Sequence, residues 1–196
     1  MSNNKITIAD VKKNIENIVE NIKNILNNVN LKNNNLKKIN NLFVEFEKHL
    51  NKSLEDFSFK YENLPRFKKG DIIYVDFGLI LGSEQMGKRP AVVLEKYNSP
   101  KAHTLIVAPI TTFNGKGTNK NFNGLIKVDD IPELKDNSCI NLMHIRAISK
   151  LRLRKHKDFG NKYIYSKLKT KHLIELDDAL SQIFIGKAEK KSKTKE

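Results

Sequence analysis

Gly82-Ser83-Glu84-Gln85 followed by Lys88-Arg89-Pro90 is the stretch of this chain whose residue types are best suited to chemistry. A Gly-flanked loop carrying Ser, Glu and Gln offers several hydrogen-bonding groups able to read an unpaired base. Arg89, at the start of an apolar run, brings a planar, permanently charged fork matched to a phosphate. A structural salt bridge is the plain alternative use of the same arginine. Other chemistry is sparse. The chain has no Walker loop, HExxH, GxSxG or strand-borne GxGxxG. His49, His103, His144, His156 and His172 are scattered without metal-ligand spacing, so the expectation is no metal and no cofactor, with most of them as surface or partly packed histidines. Cys139 is the single cysteine, which excludes an internal disulfide and a Cys-rich zinc site.

The elements that must position these residues fall into two parts. In the first 64 residues, Ile8, Val11, Ile15, Ile18, Ile22, Ile25 and Val29 recur at three-four spacing and form one helical stripe. The register continues through Leu36, Ile39, Phe43, Phe46 and Leu50, but Lys32 interrupts it within an Asn-rich run suited to a turn. Val19 and Leu26 widen the stripe, and Asn14, Asn21, Asn28 and Asn35 flank it without charge. A helical hairpin over residues 5–30 and 35–56 is therefore favoured over one long parallel coiled coil.

From Pro65 the pattern is that of a small β protein. Residues 71–77, 90–94, 104–108, 124–128, 138–143 and 147–151 read as short strands, a spacing that suits a compact barrel better than a doubly wound sheet. Residues 170–185 read as a helix whose face carries Leu173, Leu176, Leu180 and Phe184, with Gly186 as its stop. The expected organisation is thus a helical extension at 1–64, a barrel domain at 65–186 and a disordered basic tail at 187–196.

The 196 residues include 36 Lys and Arg against 22 Asp and Glu, a net charge of +14. The first 64 hold ten of the basic and eight of the acidic residues, which leaves a net +12 to the remainder. Positive charge of that size attracts a polyanion by counterion release, although a solvated basic surface has the same composition. No run approaches the roughly 18 apolar residues of a membrane span, so no membrane partner is expected. Met1-Ser2-Asn3-Asn4-Lys5 leads into polar helix rather than an apolar signal core, and a cytoplasmic location is expected.

Taken in order, the motifs resemble the MazF/PemK toxin family. Gly70-Asp71-Ile72 with Val75-Asp76-Phe77, Gly82-Ser83-Glu84-Gln85 and Lys88-Arg89-Pro90-Ala91-Val92-Val93-Leu94 come first. Then follow Ala108-Pro109-Ile110-Thr111, Asp136-Asn137-Ser138-Cys139-Ile140, Ile145-Arg146-Ala147-Ile148 and Asp177-Asp178-Ala179-Leu180. The similarity spans about residues 67–186. It implies an α+β protein with an SH3-like β-barrel and a C-terminal helix, here behind an N-terminal helical hairpin or coiled coil. It also implies a homodimer that cuts single-stranded RNA at short sequences without a metal, independently of the ribosome. In that family the substrate's 2′-hydroxyl attacks, leaving a 2′,3′-cyclic phosphate and a 5′-hydroxyl, and a cognate antitoxin neutralises the enzyme. The family's catalytic pair falls on Arg89 and Thr111, with Thr112 as the substitute if the register shifts by one. Ser83, Glu84, Gln85, Lys88 and His144 are the expected RNA-binding residues. Met143-His144 stands where many relatives have an acidic residue and Gln, so His144 serves either altered base preference or proton transfer. A catalytically silent nucleic-acid- or protein-binding member is the alternative function. A gyrase poison is another, against which the retained Arg89 and Thr111 argue.

Overall fold

The computed structural model describes residues 6–28, 33–55, 58–78, 82–112 and 124–186. The basic tail at 187–196, the Gly/Asn-rich loop at 114–123 and residues 30–32 of the Asn-rich turn lie outside the described residues. The chain divides into two compact units, Met1–Glu47 and Lys48–Glu196. Among the described residues no helix is long and apolar enough to cross a membrane.

The first unit holds helix α1 (Ile8–Asn28) and the greater part of α2 (Asn33–Glu55). Thr7 and Asp10 open α1 with reciprocal caps. The Thr7 amide donates to the Asp10 carboxylate at 2.9 Å, and the Asp10 amide donates to the Thr7 hydroxyl at 3.2 Å. The stripe read from the sequence is an exposed one, with Ile15 and Ile18 each 54% accessible.

In the second unit the strands are β1 (Asp71–Asp76), β2 (Lys88–Val93), β3 (Thr104–Thr112), β4 (Leu125–Lys127), β5 (Ser138–Asn141), β6 (Arg146–Ser149), β7 (Leu153–Arg154) and β8 (Ile164–Lys167). They pair antiparallel in the order β4-β5-β3-β2-β1-β7, with β6 on β3 and β8 on β1. Two strands do most of the organising. β3 takes β2 on one edge, while on the other its first half takes β6 and its end takes β5. β1 meets β8 along Asp71–Ile73 and β7 along Tyr74–Val75, with a register shift between Ile72 and Ile73. Such irregular pairing bends a sheet sharply and lets it curl on itself.

The period-two alternation of side chains explains why these strands read as unbroken apolar runs. Ile73, Val75, Ala91, Val93, Leu105 and Val107 pack into one core with Tyr61, Leu64 and Phe67. The intervening Ile72, Val92, Ala108 and Ile110 pack into a second core with Leu176 and Ala179 of α3 (Thr170–Phe184). Both faces of the sheet are therefore buried. Tyr61 and Leu64, which precede the change of sequence character, belong to this core, and Tyr61 stacks on His103 at 4.0 Å. On α3 the face is Leu173, Leu176, Ala179 and Leu180, whereas Phe184, expected on it, is 67% exposed in the last turn. Gly186 follows at φ +82°, the left-handed stop that its position in the sequence suggested.

The end of β1 is fixed by charge. Asp76 is buried and meets Lys52 Nζ at 2.8 Å and Arg154 Nη2 at 3.5 Å. Burial works to raise its pKa, but Lys52, Arg154 and Lys88 outweigh it and hold the carboxyl below its ordinary value. The stability this supplies is full above the ordinary carboxylate range and is lost as pH falls through the depressed value. Asp76→Asn should remove about 3 kcal/mol at neutral pH. In urea melts across pH 3–7 the difference from wild type should shrink toward the acid end. An equal difference at every pH would contradict the ion-pair account.

Candidate functional site

Arg89 is the second residue of β2, paired with Val75 of β1. Thr111 lies near the end of β3, opposite Cys139 of β5. β2 and β3 pair through Ala91–Pro109, and extending that register by two residues sets Arg89 opposite Thr111. Both side chains line one cleft of about 420 Å3, together with Lys88, Thr112 and Ser138. Glu133, His156 and Tyr165 close another side of it.

The loop before β2 sits against the arginine. Phe77 N donates to Gly87 O at 3.1 Å and closes the loop's base, and Gly82 and Gly87 take φ of +57° and +77°, the left-handed region that favours glycine. Residues 79–81 of this loop lie outside the described residues. Arg89 Nε and Nη2 donate to Met86 O at 2.9 and 2.6 Å, and its Nη1 donates to Gln85 Oε1. Arg146 Nη2 donates to Gln85 O at 2.6 Å, its Nη1 lies 3.7 Å from Glu84 Oε2, and its guanidinium caps the Phe77 ring at 4.7 Å. Burial first, then the neighbouring Arg146, lower the Arg89 pKa. A guanidinium starts so high that it stays charged near neutral pH.

Of the expected RNA-contacting residues, Gln85 touches Arg89, Glu84 pairs with Arg146, and Lys88 lines the cleft. Ser83 is exposed on the loop and does not line the cleft. His144 is also off the cleft lining, but Arg146, Arg89 and Glu84 are its electrostatic neighbours. Partial burial, then the two arginines, depress its pKa, with Glu84 opposing. Neutral imidazole, able to accept a proton, is thus its form at neutral pH.

Several lining residues carried no signal in the sequence. Arg146, from the Ile-Arg pair, is set against the Glu84-Gln85 loop rather than in the cleft lining. His156 reaches the cleft because Arg154 of β7 pairs with Tyr74 of β1, which swings residues 154–159 beside β1. Glu133 arrives from the turn after β4 and accepts a hydrogen bond from Ser166 Oγ at 2.9 Å. Among the described residues no group of three His, Cys, Asp or Glu could hold a metal ion.

Residues 68–184 match the family described as PemK-like, MazF-like toxin of type II toxin-antitoxin system, and the chain belongs to that family. Solved structures similar to it include MazF from Deinococcus radiodurans, at 17% identity and a TM-score of 0.44, with 61% of this chain and 96% of that one covered. A Mycobacterium tuberculosis MazF toxin aligns at 20% identity and a TM-score of 0.42, covering 60% of this chain and 99% of its own. A mycobacterial endoribonuclease solved with its cognate antitoxin aligns at 14% identity and 0.39, over 61% and 92%. Comparison with curated protein sequences gives no significant match.

Proposed function

We propose that the chain is the toxin of a type II pair and a ribosome-independent, metal-independent endoribonuclease acting on single-stranded RNA at short sequences. The observation that carries the reading is the meeting of Arg89 and Thr111, from different strands, in one cleft of a chain from this toxin family. In-line attack by a ribose 2′-oxygen on the adjacent phosphorus breaks the bond to the 5′-oxygen. The products are a 2′,3′-cyclic phosphate and a 5′-hydroxyl. Charge builds on the non-bridging oxygens, and the Arg89 guanidinium can meet it with two parallel hydrogen bonds. The Thr111 hydroxyl holds the phosphate or the 2′-hydroxyl in line. Arg89 must first let go of Gln85 and Met86, so an RNA phosphate competes with the loop for the same donors.

His144 has two roles open to it in this reading, contact with a base or acceptance of the 2′-hydroxyl proton, and pH tests the second. Cleavage should then fall on acidification only below the ordinary imidazole value of about 6.5, because the group's pKa is depressed. His144→Gln should abolish that acid limb as well as slowing turnover. An unchanged limb would remove His144 from proton transfer and leave it a base-contacting role. The reading brings two protein partners, a second copy of the chain and an antitoxin whose extended segment occupies the RNA groove. The type II pairing of the family supports the latter. Long RNA incubated with the purified protein in EDTA should be cut at a discrete set of sites. Intact RNA at high protein concentration would favour the catalytically silent, binding reading.

A further inference from the structure

Beside the Arg89–Thr111 cleft lies a second cavity of about 590 Å3 that the proposed reaction does not use. The two are continuous, since Tyr74, Lys88, Glu133, Lys135 and His156 line both. Its far wall comes from β7 and the short 3₁₀ helix Lys157–Phe159, a segment swung beside β1 by the Tyr74–Arg154 pairing.

This wall combines two kinds of group. The first is aromatic. His156 packs edge-on to Tyr74 at 4.8 Å and tilted to Phe159 at 4.6 Å, while Phe159 lies parallel to Tyr165 at 5.2 Å. Two polar atoms of this cluster, His156 Nδ1 and the Tyr165 hydroxyl, are buried without a hydrogen-bond partner. The second is cationic. Lys135 and Lys157 line the cavity without an ion-pair partner among the described residues, and Lys88 lines it near enough to Asp76 to feel its charge without a direct ion pair. Arg154 also lines it but is engaged by Asp76, and Lys155 reaches over the Tyr163 ring at 5.5 Å. Glu133 and the exposed Asp158 are the acidic members.

Unpaired lysines around aromatic rings suit a ligand with both an anionic backbone and planar faces, which describes single-stranded nucleic acid. An acidic peptide would satisfy the lysines and leave the rings unused. We propose that this cavity is a subsite for a nucleotide of the bound RNA flanking the scissile phosphate. Its base packs against the Phe159–His156 cluster and its phosphates lie on Lys157, Lys135 and Lys88. The assignment rests on the ribonuclease reading of the adjoining cleft, and it makes residues 154–159 determinants of how many nucleotides the enzyme grips.

The test uses the full-length chain and 2′-O-methyl oligoadenylate and oligouridylate, which lack the attacking hydroxyl. The protein contains no tryptophan, so Phe159→Trp places a single indole in the subsite. Saturable quenching of its emission by the oligonucleotides, with none from polyglutamate, is expected. Phe159→Ala should weaken binding of a labelled oligomer by about five- to a hundredfold, the range for losing one stacked base. Lys157→Ala should reduce the slope of log affinity against log salt by about 0.7. Oligomer binding with no quenching and unchanged affinity in Phe159→Ala would overturn the subsite, and so would equal quenching by polyglutamate. The ribonuclease reading fails separately. Quenching by the oligomers alongside unmodified RNA left intact would keep the subsite and reject the cleavage.

Discussion

Arg89→Ala will leave the fold intact and lower RNA cleavage by about 10²–10³-fold, the usual effect of losing a preorganised donor aimed at developing charge. The two parts of this expectation have separate grounds. Among the described residues the guanidinium's hydrogen bonds run to Gln85 and Met86 of the preceding loop, so little of the core depends on it. A change of this kind should shift stability by no more than about 0.5 kcal/mol. Rate is another matter, because no other group aims a flat pair of donors into the cleft from β2. Arg89→Lys keeps the charge but loses the fork, and should recover only a fraction of the activity. Single-turnover cleavage of a fluorescent oligoribonucleotide, with thermal melts of each variant, measures both. Cutting within about threefold of wild type in Arg89→Ala would remove this side chain from the transition state.

Thr111→Val should slow cleavage by about ten- to a hundredfold, the loss of one hydrogen bond to a charged group. Valine keeps the branched shape that suits β3, so the pairing of residue 111 with Cys139 should survive. If both side chains act on one phosphate, the Arg89→Ala/Thr111→Val double variant should lose less than the product of the separate losses. Losses that multiply would place the hydroxyl on another part of the substrate. An inactive Thr112→Val beside an active Thr111→Val would move the role one residue along the strand.

The strands most visible in the sequence were those buried on both faces. Residues 71–77, 90–94 and 104–108 are continuous β-branched or apolar runs, and they became β1, β2 and the first part of β3. β7 and β8 gave no such signal. Leu153–Arg154 is only two residues long, and Ile164–Lys167 is half-buried and ends in the polar pair Ser166-Lys167, so each depends on its partner β1 for definition. The same blindness extends to the site. Arg89 and Thr111 stood in recognisable motifs, whereas Glu133, His156 and Tyr165 reach the cleft through tertiary placement of turns and short strands. Local periodicity holds no information about such placement. Phe184 shows the reverse error: it fits the helical spacing, yet the last turn of α3 packs on the core through Ile183 and leaves the Phe184 ring exposed.

The chemistry of the cut ends tests the central claim most directly. An oligoribonucleotide containing a mapped cut site, digested in EDTA and weighed by mass spectrometry, should give a 2′,3′-cyclic phosphate upstream and a 5′-hydroxyl downstream. The same oligomer with a single 2′-deoxy sugar at the cut site should stay whole. Fragments bearing a 3′-hydroxyl and a 5′-phosphate, or cutting that persists in the deoxy-substituted oligomer, would contradict attack by the 2′-oxygen at a phosphate held by Arg89 and Thr111.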